Sequence, residues 1–231
     1  MSQGIRRLLS ATRDLFFPPR CVGCDELLPP FDKDTPVFCP VCRTAWENAV
    51  IPESSMPDGP IHLVAYRSGN TDGVPERVIY HMKHKGDPRV FAFVASRLSP
   101  RIAHVTAGEK LLFTYPPRRP SAVRRDGFDQ AERLATALAR VMNGESASLL
   151  RRRAASEEQK TLDAAERHDN AAHAYAPKKS TAHRVAGRTV VLCDDLCTTG
   201  ATLSASAELI RAAGARRVIL VTVARTAEQD T

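Results

Sequence analysis

The clearest hydrophobic pattern lies near the carboxyl end of the chain. Residues 189–193 (TVVLC) form an unbroken apolar run, which is typical of a strand buried on both faces. Leu203, Ala207 and Ile210 then recur at helical spacing, and a second apolar run follows at 218–223. A strand, a helix and a strand joined by short turns predict a βαβ unit and therefore a parallel sheet.

The same alternation extends upstream of this unit. Apolar runs at 61–66 and 111–115 predict two further strands, and apolar positions within 78–82 and 90–98 predict helices between them. Residues 131–142 place apolar side chains on one helical face. We therefore predict an α/β fold with a parallel sheet flanked by helices.

The first quarter of the chain follows a different pattern. Residues 3–17 carry a helical apolar stripe that ends at two prolines, and residues 51–60 (IPESSMPDGP) have the composition of a linker. We predict an amino-terminal helix and small cysteine-rich domain at 1–50, a linker at 51–60 and a larger α/β domain at 61–231.

Composition narrows the class of protein. The chain has 231 residues, of which 43% are hydrophobic and 26% charged, which is typical of a globular protein. No apolar run is long enough to span a bilayer, and Arg13 and Asp14 interrupt the apolar stretch near the start. We therefore expect no membrane insertion and no signal peptide, and hence a cytoplasmic location. The net charge of +7 favours polyanionic partners without choosing among nucleic acid, phosphorylated metabolites and anionic membrane surfaces.

Four of the six cysteines form a doubled pair with the spacing C-x2-C-x14-C-x2-C: Cys21, Cys24, Cys39 and Cys42. In a reducing cytosol this spacing indicates metal ligation rather than disulfides. Four thiolates suit a closed tetrahedral zinc site that stabilises a fold and performs no chemistry. Free buried cysteines and a redox dithiol are the alternatives. The partner of such a zinc ribbon is left open between nucleic acid, the larger domain and another protein.

Residues 190–202 (VVLCDDLCTTGAT) combine an apolar strand with two carboxylates and a polar turn. The strand brings Asp194 and Asp195 to its carboxyl end. A carboxylate pair beside a phosphate group can accept hydrogen bonds from vicinal ribose hydroxyls and hold Mg²⁺ through water. The pair is therefore the leading candidate for chemistry in the chain.

The turn after this pair predicts an anion cradle. Unpaired N–H groups at the start of the next helix, together with nearby hydroxyls, bind phosphate, and glycine lets the backbone approach closely. We assign this cradle to Thr198, Thr199, Gly200, Ala201 and Thr202. The alternative is a surface Asp-Asp turn followed by an ordinary helix cap.

The stretch 190–202 resembles the phosphoribosyl-pyrophosphate (PRPP) signature of type I phosphoribosyltransferases. With the four-cysteine amino terminus, the chain resembles the ComF branch of that family over nearly its whole length. Family patterns are matched by 82–86 (MKHKG), by 115–117 (YPP), by 126–130 (DGFDQ) and by a spaced set consisting of Arg153, Gln159, Leu162, Arg167 and Asn170.

The resemblance implies a PRPP-binding protein with the type I phosphoribosyltransferase fold and a small amino-terminal zinc ribbon. It implies structural Zn²⁺ and Mg²⁺ that accompanies PRPP. Residues 198–202 would hold the 5′-phosphate, residues at about 61–105 would form the hood, and a mobile flap would span about 151–185. The implied catalytic residues are Asp194, Asp195, Arg153 and Arg167, and the implied pyrophosphate-binding residues are Tyr115, Pro116, Pro117, Arg118 and Lys83.

Three residues depart from the family pattern. Asp126 stands in place of an arginine, Asp129 in place of an asparagine, and Tyr115 in place of a proline. The two aspartates bring negative charge to the expected pyrophosphate site, for which Arg124 and Arg125 could compensate.

Three functional hypotheses follow. The first is a Mg²⁺-dependent phosphoribosyltransferase that joins C1 of PRPP to an unidentified nitrogen nucleophile, with inversion and release of pyrophosphate. The second is a non-catalytic regulator that binds PRPP or a nucleotide. The third, implied by the ComF resemblance, is an accessory protein for DNA uptake, with nucleic acid or the uptake machinery as its partner. The acceptor and the oligomeric state are not encoded in any motif.

Overall fold

The computed structural model describes residues 18–29, 37–52, 60–66, 73–153 and 174–226. The strands are β1 (Ile61–Tyr66), β2 (Leu111–Thr114), β3 (Glu145–Ser146), β4 (Leu150–Arg152), β5 (Tyr175–Pro177), β6 (Thr189–Cys197) and β7 (Arg217–Thr226). The helices are α1 (Pro40–Ala49), α2 (Val74–Tyr80), α3 (Pro88–Thr106), α4 (Pro120–Asp126), α5 (Gln130–Val141), α6 (Thr181–Val185) and α7 (Ala201–Ala212). A π-helical turn, His81–Lys85, continues directly from α2.

The main sheet has five strands in the order β1-β7-β6-β2-β3, and every neighbouring pair is parallel. The last residue of β2, Thr114, pairs with Leu192 of β6. Strand β6 therefore extends past the end of β2, and the loop after β2 leaves the sheet beside Asp194. In a parallel sheet all carboxyl ends meet at one edge, where ligands bind in open α/β folds.

The two faces of the sheet are buried by different helices. One hydrophobic cluster combines Phe113, Val191 and Val221 with apolar residues of α3 and α5. A second cluster packs Leu112, Val190 and other residues of the opposite face against α7. This alternation along each strand follows from the two-residue period of a strand. Helices on both faces of a parallel sheet confirm the predicted α/β architecture.

The strands and helices predicted from apolar spacing between residues 61 and 223 are confirmed, with β6 and β7 longer than their apolar runs. The predicted flap region, 151–185, contains regular structure at both ends: β4 and β5 pair antiparallel, and 181–185 is helical. Residues 154–173 of that region, with Arg167, and the helix predicted over 3–17 lie outside the described residues. Within the described ranges, none of the helices is both long and apolar enough to cross a membrane.

The cysteine-rich segment packs on α3 through an aromatic cluster. The rings of Trp46 and Phe93 lie 5.5 Å apart and those of Phe38 and Phe93 lie 5.3 Å apart, both edge to face. Arg101 of α3 donates hydrogen bonds to the carbonyl oxygens of His62 and Ile51, at 2.5 and 2.6 Å. These contacts tie the chain on either side of 51–60 to the same helix. The division into domains at that point stays a prediction.

Candidate functional site

The four paired cysteines converge although their two pairs are distant in sequence. The sulfur atoms of Cys21, Cys24, Cys39 and Cys42 all lie within 4.8 Å of one another. Cys24 Sγ and Cys39 Sγ are 3.7 Å apart. A tetrahedral Zn²⁺ with bonds of about 2.3 Å requires sulfur atoms about 3.8 Å apart. The four sulfurs therefore could hold one metal ion such as zinc, and the donor set and spacing both fit it.

The thiols of this cluster differ in how readily they ionise. Burial opposes ionisation of Cys21, but backbone N–H groups of Cys39, Cys24 and Gly23 outweigh that effect and lower the pKa of the thiol. Burial, reinforced by the neighbouring sulfurs, raises the pKa of Cys42. Several thiolates crowded together repel one another, and a divalent cation removes that repulsion.

The cysteine cluster touches the helix that leads to the carboxylate pair. A Cβ atom at Gly23 would come within 2.6 Å of Cys42 Sγ and 3.3 Å of Val74 Cγ2. Val74 begins α2, which runs into the π-helical turn that carries Lys83. The cysteine-rich segment therefore packs against the helix that leads to Lys83, and only glycine fits at position 23 without displacing Cys42.

The turn after β6 forms a small cavity of about 50 Å³, which is large enough for several water molecules. Its lining contains all five residues predicted for the phosphate cradle, together with Asp194, Leu196, Cys197 and Leu203. Gly200 has φ of +75°, a backbone conformation that favours glycine. The N–H groups of Thr202 and Leu203 at the start of α7 have no acceptor among the described residues. They provide the donors that a phosphate group requires.

The two carboxylates occupy different surroundings at the end of β6. Asp194 lines the cavity, whereas Asp195 is 5% exposed. Lys83 Nζ lies 3.7 Å from Asp195 Oδ2, and Gln130 Nε2 donates to the same oxygen at 3.4 Å. Lys83, predicted to bind pyrophosphate, is thus placed beside the acidic pair.

The charge of this pair is not fully neutralised by the protein. Burial, and then the negative charge of Asp195, raises the pKa of Asp194 well above its ordinary value. The Asp129 carboxylate contributes in the same direction. Oxygen ligands with excess negative charge suit Mg²⁺, and hydroxyl groups can donate to the same oxygens.

The loop predicted to bind pyrophosphate is held by the two unexpected aspartates. Arg118 Nη2 donates to Asp126 Oδ2 at 2.9 Å, and the backbone N–H of Arg118 donates to Asp129 Oδ2 at 2.8 Å. Tyr115 and Pro116 are buried at the end of β2. Of the arginines expected to compensate, Arg125 pairs with Asp126.

The arginines at the start of the predicted flap take separate positions. Arg152 lies over the ring of Tyr175 and donates to its hydroxyl at 3.0 Å. Arg153 is exposed, and its backbone N–H donates to the carbonyl of Ala174 at 2.9 Å. The side chain of Arg153 is therefore at the start of the predicted flap rather than in the cavity.

Sequence reasoning missed Gln130 and Tyr175. Gln130 is buried, donates to Asp195, and has an Oε1 atom with no partner among the described residues. Burial raises the pKa of Tyr175, and the negative charge of Asp194 adds to that effect. Gln130 stands inside the quoted DGFDQ segment, but its contact with a residue 65 positions away leaves no local signal.

Residues 122–230 match the model of the phosphoribosyl transferase domain. The match runs from α4 through β6, the cradle and β7, and covers slightly less than half of the chain. With the parallel sheet and the cysteine cluster, it confirms the expected phosphoribosyltransferase-like fold. No curated protein sequence matches the chain significantly.

Several solved structures show a weaker likeness. Phosphoribosylpyrophosphate synthetase from Mycobacterium smegmatis is 20% identical with a TM-score of 0.37, over 57% of this chain and 33% of that one. Glutamine PRPP amidotransferase from B. subtilis is 16% identical with a TM-score of 0.40, over 62% and 30%. A hypoxanthine-guanine phosphoribosyltransferase from Bacillus anthracis is 14% identical with a TM-score of 0.36, over 63% and 75%. This chain spans about a third of the length of the first two, and likenesses at these scores say nothing about its substrate.

Proposed function

We propose that this protein binds PRPP and transfers its ribose 5-phosphate group to a nitrogen nucleophile. The observation that carries the proposal is the meeting of a carboxylate pair and a phosphate-sized cavity at the carboxyl end of β6. The match of 122–230 to the phosphoribosyl transferase domain supports the same reading of these residues.

In this proposal the cavity lined by 198–202 receives the 5′-phosphate, bound by the N–H groups at the start of α7. Asp194 and Asp195 accept hydrogen bonds from the ribose 2′- and 3′-hydroxyls. Lys83 and Gln130 fix the orientation of Asp195, because both approach its Oδ2 atom. The sugar is therefore held at both ends before any bond breaks.

In the proposed reaction the bond between C1 and the pyrophosphate oxygen breaks, and the nitrogen lone pair forms a new bond to C1 from the opposite face. Pyrophosphate leaves with the bonding electrons, and the N–H proton of the nucleophile passes to solvent water. Mg²⁺, held through the Asp194 and Asp195 carboxylates, supplies positive charge to the pyrophosphate when bound. The carboxylates stabilise the sugar as positive charge develops at C1.

We assign the cysteine cluster a structural zinc ion. The aromatic contact between Trp46 and Phe93 and the contact of the cluster with α2 connect that ion to the helical segment that carries Lys83. Assignment to the ComF branch, and with it any role in DNA uptake, rests on the sequence resemblance alone.

Binding without transfer is a second candidate, favoured by one observation. Arg118, which the resemblance places at the pyrophosphate, already pairs with Asp126. A protein that senses PRPP or a nucleotide needs the cradle and the carboxylates but no stabilisation of the leaving group.

Pyrophosphate release separates the two candidates. The purified protein is mixed with PRPP and Mg²⁺ and with each member of a panel of purine bases, pyrimidine bases and amines. Release that depends on one nucleophile and disappears in Asp195→Ala supports transfer. Glu208→Ala, on the exposed side of α7, is the matched control and retains activity. If the protein binds PRPP but releases pyrophosphate with none of the acceptors, the result supports sensing. If Asp195→Ala releases pyrophosphate at the wild-type rate, the result contradicts the assignment of the site.

A further inference from the structure

Both terminal nitrogens of the Arg118 guanidinium contact residues at the end of α4 and just beyond it. Besides the bond from Nη2 to Asp126, Nη1 points to the carbonyl oxygen of Phe128 at 3.4 Å. The Arg118 side chain is only 15% exposed and that of Asp126 is 8% exposed. A charge-assisted hydrogen bond between these two partly covered side chains holds the guanidinium in one direction.

A second carboxylate fixes the backbone of the same residue. Asp129 Oδ2 accepts the N–H of Arg118, while Asp129 Oδ1 accepts the N–H of Ala131 at the start of α5. An asparagine has one acceptor oxygen and could not accept both bonds. The two aspartates that depart from the family pattern thus hold both the backbone and the side chain of Arg118.

Asp126 keeps its charge under all ordinary conditions. Arg125 donates to both of its oxygens, at 2.9 and 3.1 Å. The pairing with Arg125, followed by that with Arg118, lowers the pKa of Asp126 to about 2. No change of pH between 5 and 9 therefore releases Arg118.

We infer that Asp126 sets the phosphate selectivity of the site by holding Arg118 away from a diphosphate on C1 of the sugar. The inference rests on the proposed function, because it concerns the same bound sugar. The resemblance places that diphosphate at this loop, where it would have to displace Asp126 to reach Arg118. A 5′-phosphate in the cradle would bind without displacing Asp126. PRPP therefore binds more weakly than it would to a loop with a free Arg118, whereas the affinity for ribose 5-phosphate is unaffected.

The test compares calorimetric affinities for PRPP and for ribose 5-phosphate, both with Mg²⁺. Asp126→Asn keeps an acceptor oxygen but removes the charge. We expect it to bind PRPP about tenfold more tightly, with ribose 5-phosphate affinity unchanged within about twofold. Glu208→Gln, which removes the same charge from an exposed position on α7, changes neither affinity. Asp126→Ser replaces Asp126→Asn should the latter not fold.

Arg118→Ala distinguishes release of Arg118 from simple relief of repulsion. In the wild-type background it should change PRPP affinity little, because Arg118 is already engaged. In the Asp126→Asn background it should remove the gain. A gain that persists without Arg118, or no gain at all while ribose 5-phosphate still binds, overturns the inference and leaves the proposed function intact. Failure of every variant to bind either sugar phosphate overturns the proposed function itself.

Discussion

Replacing Gly86 with alanine tests how tightly the end of the π-helical turn is packed. Gly86 is buried and has φ of +61°. A Cβ atom there would lie 2.8 Å from Phe128 Cε1 and would overlap Arg133 Nη1. Arg133 in turn donates to the Gly86 carbonyl at 2.5 Å and lies over the Phe128 ring, 4.1 Å from its centroid. A single methyl group therefore disturbs several contacts near Lys83.

The expected cost combines three effects. The left-handed backbone costs an alanine about 1 kcal/mol. Displacing the Phe128 ring and Arg133 costs about 1 kcal/mol more, and weakening the hydrogen bond of Arg133 costs about 1 kcal/mol. We expect Gly86→Ala to lower the free energy of unfolding by about 3 kcal/mol.

The matched control is Gly108→Ala. Gly108 has φ of +77°, and a Cβ atom there would meet nothing within 4 Å, so only the backbone cost of about 1 kcal/mol applies. Urea unfolding followed by circular dichroism gives both values. Equal losses of stability in the two variants would refute the packing argument at Gly86.

Three further predictions address the metal, the pH response and the loop. A chelator should remove one zinc ion per chain and shift the fluorescence of Trp46, the single tryptophan, before the sheet unfolds; identical unfolding with and without chelator would exclude a structural metal. Burial, with the charge of Arg225, lowers the pKa of His62 to about 4, so between pH 6.5 and 4 the unfolded chain binds a proton that the folded chain does not. The contribution of His62 to stability should therefore fall by about 2–3 kcal/mol from pH 7 to pH 4.5, measured as the difference between the wild type and His62→Gln; an identical pH dependence in the two proteins would contradict the assignment. Asp129→Asn should lower the free energy of unfolding by about 1–2 kcal/mol, because its single amide oxygen cannot accept the N–H groups of both Arg118 and Ala131; an unchanged melting temperature would count against it.

The sheet and the cradle could be predicted because their signals are local. An apolar run followed by Asp-Asp and Thr-Thr-Gly places carboxylates and a helix start within a few residues, and the parallel connection fixes the edge at which they lie. The cysteine spacing is equally local, because each pair of sulfurs must face one point.

The rest of the site depends on contacts between distant segments. Helix α4 was not predicted because none of its seven described residues is buried, so it has no apolar period. Helix α1 was not predicted because its two buried side chains, Cys42 and Trp46, stand in a segment dominated by the cysteine motif. The roles of Gln130, Asp126 and Asp129 depend on how the loop after β2 folds against β6, which no short motif encodes.

The most direct test of the site is to record the backbone amide resonances of Thr202 and Leu203 by NMR while ribose 5-phosphate is added with Mg²⁺. If the start of α7 holds the 5′-phosphate, both N–H signals should shift in a saturable manner, and Asp195→Ala should weaken the response. Saturable binding that leaves both signals unmoved would show that the sugar phosphate is held elsewhere.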